Sequence, residues 1–565
     1  MKILLLKVPT FPYPRMRKPK DFSEKILVSS TPSLALATLK GFVQDNFKVE
    51  HEMIVHDLNI CALNRGLEDI DAIGDAALAE AKAMIESFDF DVFAVSAQFM
   101  FNEPYCMDLR RYAKRKNPRA VLIEGGGYTT IFPNKAMTLA PLDYAVIGEG
   151  EHTFVHLLNK IAGVVDLEFS RAWPFDGYVE RLGDGSLMQV NKTSFLPNLD
   201  LLSMPDWNYP SSIEYMRDAP NAYLTVMASR GCPMSCSFCS THLSWGKSVR
   251  YRPIGKIIEE LATNYQRFGI RKFQFVDDNI SFNKQWFADM CSQIEANWAN
   301  VPFELTFSNF DLRFLDEQIL LALKKIRVKN VIVSTESGDP EIQQLIGKKL
   351  KLDKVKDTVK MIREHGFTIH NALLIGFPQE SLQQMQNTIN YARQLRTESI
   401  QILRVFPYPG TRIYTEGKAL GVVDLDEDDF SSLNYQNGSI NTLEWKTEQV
   451  RDLAYDASIE LNFLNSVYYD SENGRNALRD KVKGLIDRLP PGHVILEIVA
   501  GYLDGHYYDN LGSRDQHYSR AYDYLTYPNC TFMRHMKWNF PQILDFKKWV
   551  VKQHSALSNE MSWIS

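Results

Sequence analysis

Three cysteines crowd into one short segment, Ser229-Arg230-Gly231-Cys232-Pro233-Met234-Ser235-Cys236-Ser237-Phe238-Cys239-Ser240. Thiolates at this spacing sit on one loop that can wrap an iron–sulfur cluster. Three ligands leave one iron of a [4Fe–4S] cube without a protein ligand. That iron can take a cofactor or substrate, by the logic of an open catalytic zinc site. The rival is a structural zinc with His242 as fourth ligand. Structural zinc motifs usually come as two separated pairs of cysteines or histidines, so the spacing favours iron–sulfur and leaves His242 as a residue of the surrounding loop. Cys61, Cys106, Cys291 and Cys530 are scattered and read as small core hydrophobes.

The chain around this loop has 565 residues, too many for one hydrophobic core, and two to four domains are expected. A hydrophobic fraction of 45% and a charged fraction of 23% are ordinary for a globular protein. No apolar run reaches the roughly 18–20 residues of a membrane helix. The apolar stretch in Met1–Val8 is short and interrupted by Lys7, so it reads as a buried strand rather than a signal peptide. A cytoplasmic location is expected. The net charge of −6 gives no general attraction to nucleic acid or to an anionic membrane.

The elements that must position the loop alternate. Strand patterns over Lys2–Val8, Val49–Val55, Asp91–Ser96, Ala120–Glu124 and Asp143–Ile147 are separated by helical patterns over Ser33–Phe47, Ala76–Phe88 and Glu103–Asn117. Such alternation predicts a parallel, doubly wound sheet, with ligands at the carboxyl ends of its strands. The turns Gly125-Gly126-Gly127 and Gly148-Glu149-Gly150-Glu151 fall at those ends. Periodicity weakens between about 161 and 220, which reads as a linker. A second alternating region has strands at Leu224–Ala228, Lys272–Val276, Glu304–Ser308, Asn330–Ser334, Ile369–Leu374 and Ile400–Val405. Six βα units fit a partial or full barrel. The cysteine loop follows its first strand.

The motif C-x-x-x-C-x-F-C after the first strand of a βα barrel resembles the radical S-adenosylmethionine (SAM) superfamily. The resemblance implies that the open iron chelates SAM. Electron transfer then splits SAM to a 5′-deoxyadenosyl radical, while the protein positions the cofactor and excludes water. Further segments carry the same likeness: Phe275-Val276-Asp277-Asp278-Asn279, Val333-Ser334-Thr335-Glu336-Ser337-Gly338, Leu374-Ile375-Gly376-Phe377-Pro378 and Phe406-Pro407-Tyr408-Pro409-Gly410. Each closes a predicted barrel strand. Phe238, Asp277, Asp278, Glu336, Ser337, Gly376 and Pro409 are therefore expected around SAM, with carboxylates on its hydroxyls or amine. Arg250 and Arg252 face either an anionic group of SAM or substrate, or solvent.

The first domain resembles the cobalamin-binding domain that precedes the barrel in one large radical SAM class. The likeness rests on Thr31-Pro32-Ser33-Leu34-Ala35, Asp57, Gly125-Gly126-Gly127-Tyr128-Thr129-Thr130 and Gly148-Glu149-Gly150-Glu151-His152. It implies Ser33, Asp57, Ser96, Gly125, Gly126, Gly127, Tyr128, Gly148, Glu149 and Gly150 as cobalamin-binding residues. A nucleotide-binding or purely structural α/β domain is the alternative. The absence of G-x-G-x-x-G after the first strand weakens a dinucleotide reading. No D-x-H-x-x-G occurs in this domain, so the lower face of cobalt is expected to lack histidine. Asp504-Gly505-His506 lies in another domain and is read as chance.

The implied architecture is α/β. A Rossmann-like cobalamin-binding domain spans 1–165, a linker 166–220, a radical SAM barrel 221–421 and a mostly helical C-terminal domain 422–565 that caps the barrel. The implied function is a methyltransferase acting through cluster, SAM and methylcobalamin on an unactivated carbon of a small metabolite, natural-product precursor or peptide. Non-methylating ring formation or rearrangement is the alternative within enzymes, and a non-catalytic cobalamin-binding sensor the alternative outside them. The expected partners are the substrate and an external electron donor such as flavodoxin or ferredoxin.

Overall fold

The computed structural model describes residues 1–11, 13–14, 31–63, 70–193, 195–196, 198–219, 222–298, 300–433, 438–459 and 461–462. The expectation of a helical domain over 422–565 falls mostly outside them. Within that range a single helix, Thr447–Ile459, is described.

The first sheet has seven strands: β1 (Lys2–Lys7), β2 (Glu52–Asp57), β3 (Val92–Ala97), β4 (Val121–Gly126), β5 (Tyr144–Val146), β6 (Tyr178–Arg181) and β7 (Leu187–Val190), ordered β2-β1-β3-β4-β5-β6-β7. The first five are parallel, whereas β6 and β7 pair antiparallel at one edge. In β1 every residue after Lys2 is buried, as a parallel strand covered on both faces must be. The predicted linker is thus partly sheet. The β6–β7 hairpin is short and its outer strand is half-exposed, so it shows little of the apolar alternation by which a strand is recognised.

The second region forms two three-stranded parallel sheets. One is β12-β11-β8, made of β8 (Leu224–Val226), β11 (Lys272–Phe275) and β12 (Glu304–Phe307). The other is β13-β14-β15, made of β13 (Asn330–Glu336), β14 (Thr368–Ile375) and β15 (Ser399–Arg404). A bridge from Phe310 to Val333 joins them. Among the described residues β8 and β15 do not pair, so the barrel is incomplete. Burial alternates along most of β13 and β14: Val331, Val333, Ile369 and Leu373 pack in the cores, while their immediate neighbours are partly buried or exposed. Between β8 and β11 lies a small antiparallel pair, β9 (Ser229–Arg230) with β10 (Arg250–Tyr251). It closes the stem of the cysteine loop.

Candidate active site

The cysteine loop leaves β9 through Gly231. A Cβ there would sit 2.2 Å from the carbonyl oxygen of Ser248, and its φ of +92° lies in the left-handed region, so only glycine lets the stem close. Barrel segments hold the loop. The Ser237 amide donates to the Ile346 carbonyl at 2.9 Å, and the Ile413 amide to the Ser237 carbonyl at 3.0 Å. Asn279 Nδ2 is 3.9 Å from Cys232 Sγ. Thr241 Oγ1 is 3.3 Å from Cys239 Sγ and donates to Asp278 at 3.0 Å.

Among the described residues, the only three metal-ligating side chains with all ligand atoms within 4.8 Å are Glu103, Cys106 and Glu124. The loop cysteines are spread wider, whereas a tetrahedral zinc holds its sulfurs about 3.8 Å apart. Three partly buried, unpaired cysteines on one loop are the thiolate donor set that a [4Fe–4S] cluster takes. Burial pushes the Cys236 thiol up to about 11 against the pull of Lys348 and Arg313, and raises Cys232 as well. Thiolate formation is thus coupled to metal binding. The Glu103 group already holds a cation: Arg110 lies 2.7 Å from Glu103 and 3.1 Å from Glu124. Burial and the neighbouring Glu124 charge push Glu103 well up, against the pull of Arg110.

The segments expected around SAM all end at the same edge of the barrel. Asp277 is buried and accepts from the Ser229 amide and, at 2.7 Å, from its hydroxyl; burial pushes it up to about 7. Glu336 has a φ of +64° and pairs with buried Lys348 at 2.9 Å. Phe238 packs on Phe377 with ring centroids 6.0 Å apart, beside Gly376. The turn carrying buried Pro409 continues into Gly410, which packs on Leu243 of the helix that follows Cys239. Ser337 is turned into the core, its hydroxyl 3.0 Å from that of Thr388. Arg250 and Arg252 are not a solvated pair: both are buried, Arg252 on Glu260 at 2.6 Å, where it also lines the cavity described below, and Arg250 on Glu149 at 2.9 Å.

A cavity of about 630 Å³ lies between the carboxyl edge of the first sheet and the first two barrel strands. Ser33, Ser96, Gly125, Gly126, Gly127, Gly148, Glu149 and Gly150 line its first-domain side, and Thr225, Gln274, Ser244 and Trp245 the other. It fits a large, partly apolar ligand. At Gly125 the wall is bare backbone, and an added Cβ would meet only Val146, at 3.8 Å. Two expected residues are displaced. Asp57 is buried beneath the wall, where it accepts from the Ser33 amide at 2.9 Å and so sets the start of the helix Leu34–Asn46. Tyr128 points away from the cavity onto Phe132 and Phe430, because the helix Gly127–Ile131 turns its side chain to the opposite face of the sheet. Glu149 contributes to the wall, but its carboxylate turns to Arg230 and Arg250. These arginine partners have no signal in the sequence. Arg230 adjoins the cysteine motif, yet nothing local says where its charge is met.

The family model of the radical SAM superfamily matches residues 226–392, and that of the B12 binding domain matches residues 31–158. The chain is 26% identical over 423 residues to an uncharacterized methyltransferase of Pyrococcus horikoshii, covering 73% of this chain and 82% of the relative. It is 26% identical over 449 residues to the cytidylyl-2-hydroxyethylphosphonate methyltransferase of Streptomyces wedmorensis, covering 74% and 81%. Its fold is similar to that of the radical SAM methyltransferase TsrM from Kitasatospora setae, with a TM-score of 0.57 at 16% identity over 75% of this chain and 77% of that one. The cavity edge falls within the one matched region and the cysteine loop within the other, and the chain belongs to the cobalamin-binding radical SAM enzymes, with a [4Fe–4S] cluster, SAM and cobalamin as its cofactors.

Proposed function

We propose that this enzyme methylates an unactivated carbon of a small metabolite, natural-product precursor or peptide. The observation that carries the reading is the shared wall: the cavity under the glycine turns is closed on its far side by Ser244 and Trp245, in the helix directly after Cys239. When bound, the reduced cluster splits SAM to begin radical chemistry at carbon, and cobalamin carries the methyl group that is delivered there. The residues arrange this. Cys232, Cys236 and Cys239 hold the cluster, Asp277, Asp278 and Glu336 offer carboxylates to SAM at one barrel edge, and the Gly125–Gly127 edge gives cobalamin bare backbone. Both relatives named above carry methyltransferase names over more than four-fifths of their length, which supports methyl transfer over ring formation. The enzyme would work in the cytoplasm with an external one-electron donor such as flavodoxin or ferredoxin.

The test is anaerobic reconstitution, then incubation of candidate substrates with SAM labelled in its methyl group. A product heavier by the labelled methyl, formed together with 5′-deoxyadenosine, is expected. A product of altered structure without the label would overturn methyl transfer.

A further inference from the structure

Arg230 and Arg250 face each other directly across the antiparallel pair at the base of the cysteine loop. Like charges placed opposite one another on paired strands repel, and both side chains are buried. The neutralising charge comes from the other domain. Glu149 accepts from Arg230 Nη1 at 3.1 Å and from Arg250 Nη1 at 2.9 Å, and Glu151 accepts from Arg230 Nη2 at 2.6 Å. The loop itself joins the clamp, since the Trp245 carbonyl accepts from Arg250 at 2.9 Å and the Trp245 ring lies 4.6 Å beneath Arg230. From behind, Lys192 holds the Glu149 carbonyl at 3.0 Å.

One four-residue turn thus has two roles. Gly148, Glu149, Gly150 and Glu151 all line the cavity, Arg230 beside them, while the carboxylates of Glu149 and Glu151 grip the arginines at the stem of the cluster loop. We propose that Glu149, backed by Glu151, is a positioning residue that fixes the separation between the cobalamin cavity and the iron–sulfur loop. Two carboxylates against two guanidiniums, with Lys192 met by Asp176 at 3.3 Å, make the buried junction neutral. With Glu149 neutral, two opposed guanidiniums share one carboxylate, and an incompletely compensated buried charge drives the stem away from the sheet edge. The inference rests on the two cofactor sites and not on methyl transfer.

The test uses the full-length enzyme loaded with cluster and cob(II)alamin, without substrate. A nearby reduced cluster speeds relaxation of the cobalt spin, which is read as the microwave power that half-saturates the cob(II)alamin resonance with the cluster oxidised and then reduced. In Glu149→Gln this enhancement, read per bound cobalamin in molecules that carry both cofactors, should fall severalfold. Glu151→Gln, which leaves Glu149 on both arginines, should show a smaller fall. Wild-type enhancement in both variants overturns the proposal, and so does loss of cluster or cobalamin in both, which would make the turn a plain structural support. If Glu149→Gln does not fold, Glu151→Gln decides alone: a reduced enhancement at full cofactor content supports the clamp and an unchanged one refutes it. Because no substrate is present, failure of the methyltransferase reading would leave these outcomes untouched.

Discussion

A Cβ placed on Gly126 would lie 2.0 Å from the carbonyl oxygen of Ala97. The two residues are paired at the carboxyl ends of β4 and β3, and Gly126 has a φ of +120°. This glycine serves the sheet as well as the cavity. Gly126→Leu should therefore destabilise the first domain outright, by a backbone cost on the order of 1–3 kcal/mol plus the overlap, read as a lowered melting temperature without any ligand. Gly125→Leu is the cleaner probe. It should fold and lose cobalamin binding, seen in the optical spectrum of the isolated protein. Full cobalamin binding by folded Gly125→Leu would mean that the cavity is not the cobalamin site.

Replacing Cys232, Cys236 and Cys239 together by Ala should abolish the iron–sulfur absorption at roughly 400 nm and all cleavage of SAM. Cys106→Ser and Cys291→Ser should keep the cluster. Both thiols are fully buried, so each serine should cost about 1–3 kcal/mol for an unmatched hydroxyl. Denaturant titration and iron analysis separate the two effects, and cluster absorption retained in the triple variant would refute the assignment.

Glu336→Gln should weaken SAM binding about tenfold while iron content stays unchanged. It also removes the partner of buried Lys348, so stability should fall. The double variant Glu336→Gln/Lys348→Met should recover part of that stability without recovering SAM affinity. Equilibrium dialysis with SAM and thermal melts read the two separately. An unchanged SAM affinity in Glu336→Gln would make the residue purely structural.

Glu380 should give the fold a recognisable pH dependence. Its carboxyl is fully buried, accepts from the amides of Gly376 and Phe377 at 2.7 and 3.0 Å, and is pushed by burial up to about 8 from an ordinary value of 4.5. The folded protein keeps a proton that the unfolded chain gives up. The associated stability is complete below pH 4.5 and lost as pH rises through 8, on the order of a few kcal/mol. Glu380→Gln should remove this component, so that the variant gains on the wild type between pH 5 and 8 in melts followed by circular dichroism. A constant difference across that range would mean Glu380 is ionised in the fold.

No histidine is among the described residues that line the cavity. Cob(II)alamin bound to the enzyme should accordingly lack superhyperfine splitting from a histidine nitrogen in its paramagnetic resonance spectrum. A nitrogen-split spectrum that persists with cobinamide, which carries no base of its own, would reveal a protein ligand.

Both α/β regions, the loop position of the three cysteines and a cavity at the carboxyl ends of the strands were legible in the sequence. The reason is that these are local: cysteine spacing, apolar runs such as Lys2–Lys7 and glycines after strands are written in consecutive residues. Gly125 and Ser96 both line the cavity, Gly125 as expected of a glycine turn at a strand end and Ser96 as the family resemblance implies. Tertiary structure decided what depends on pairing at a distance. Asp57 lies under Ser33, 24 positions away in sequence. Tyr128 turns to the opposite face because of the direction of one short helix. The β6–β7 hairpin joins the sheet through partners whose own pattern is weak. Arg250 meets Glu149 across 101 positions, and a charge in a sequence does not say which distant carboxylate will neutralise it. That choice is made when the two domains bury both groups together, since an unpaired charge could not remain there.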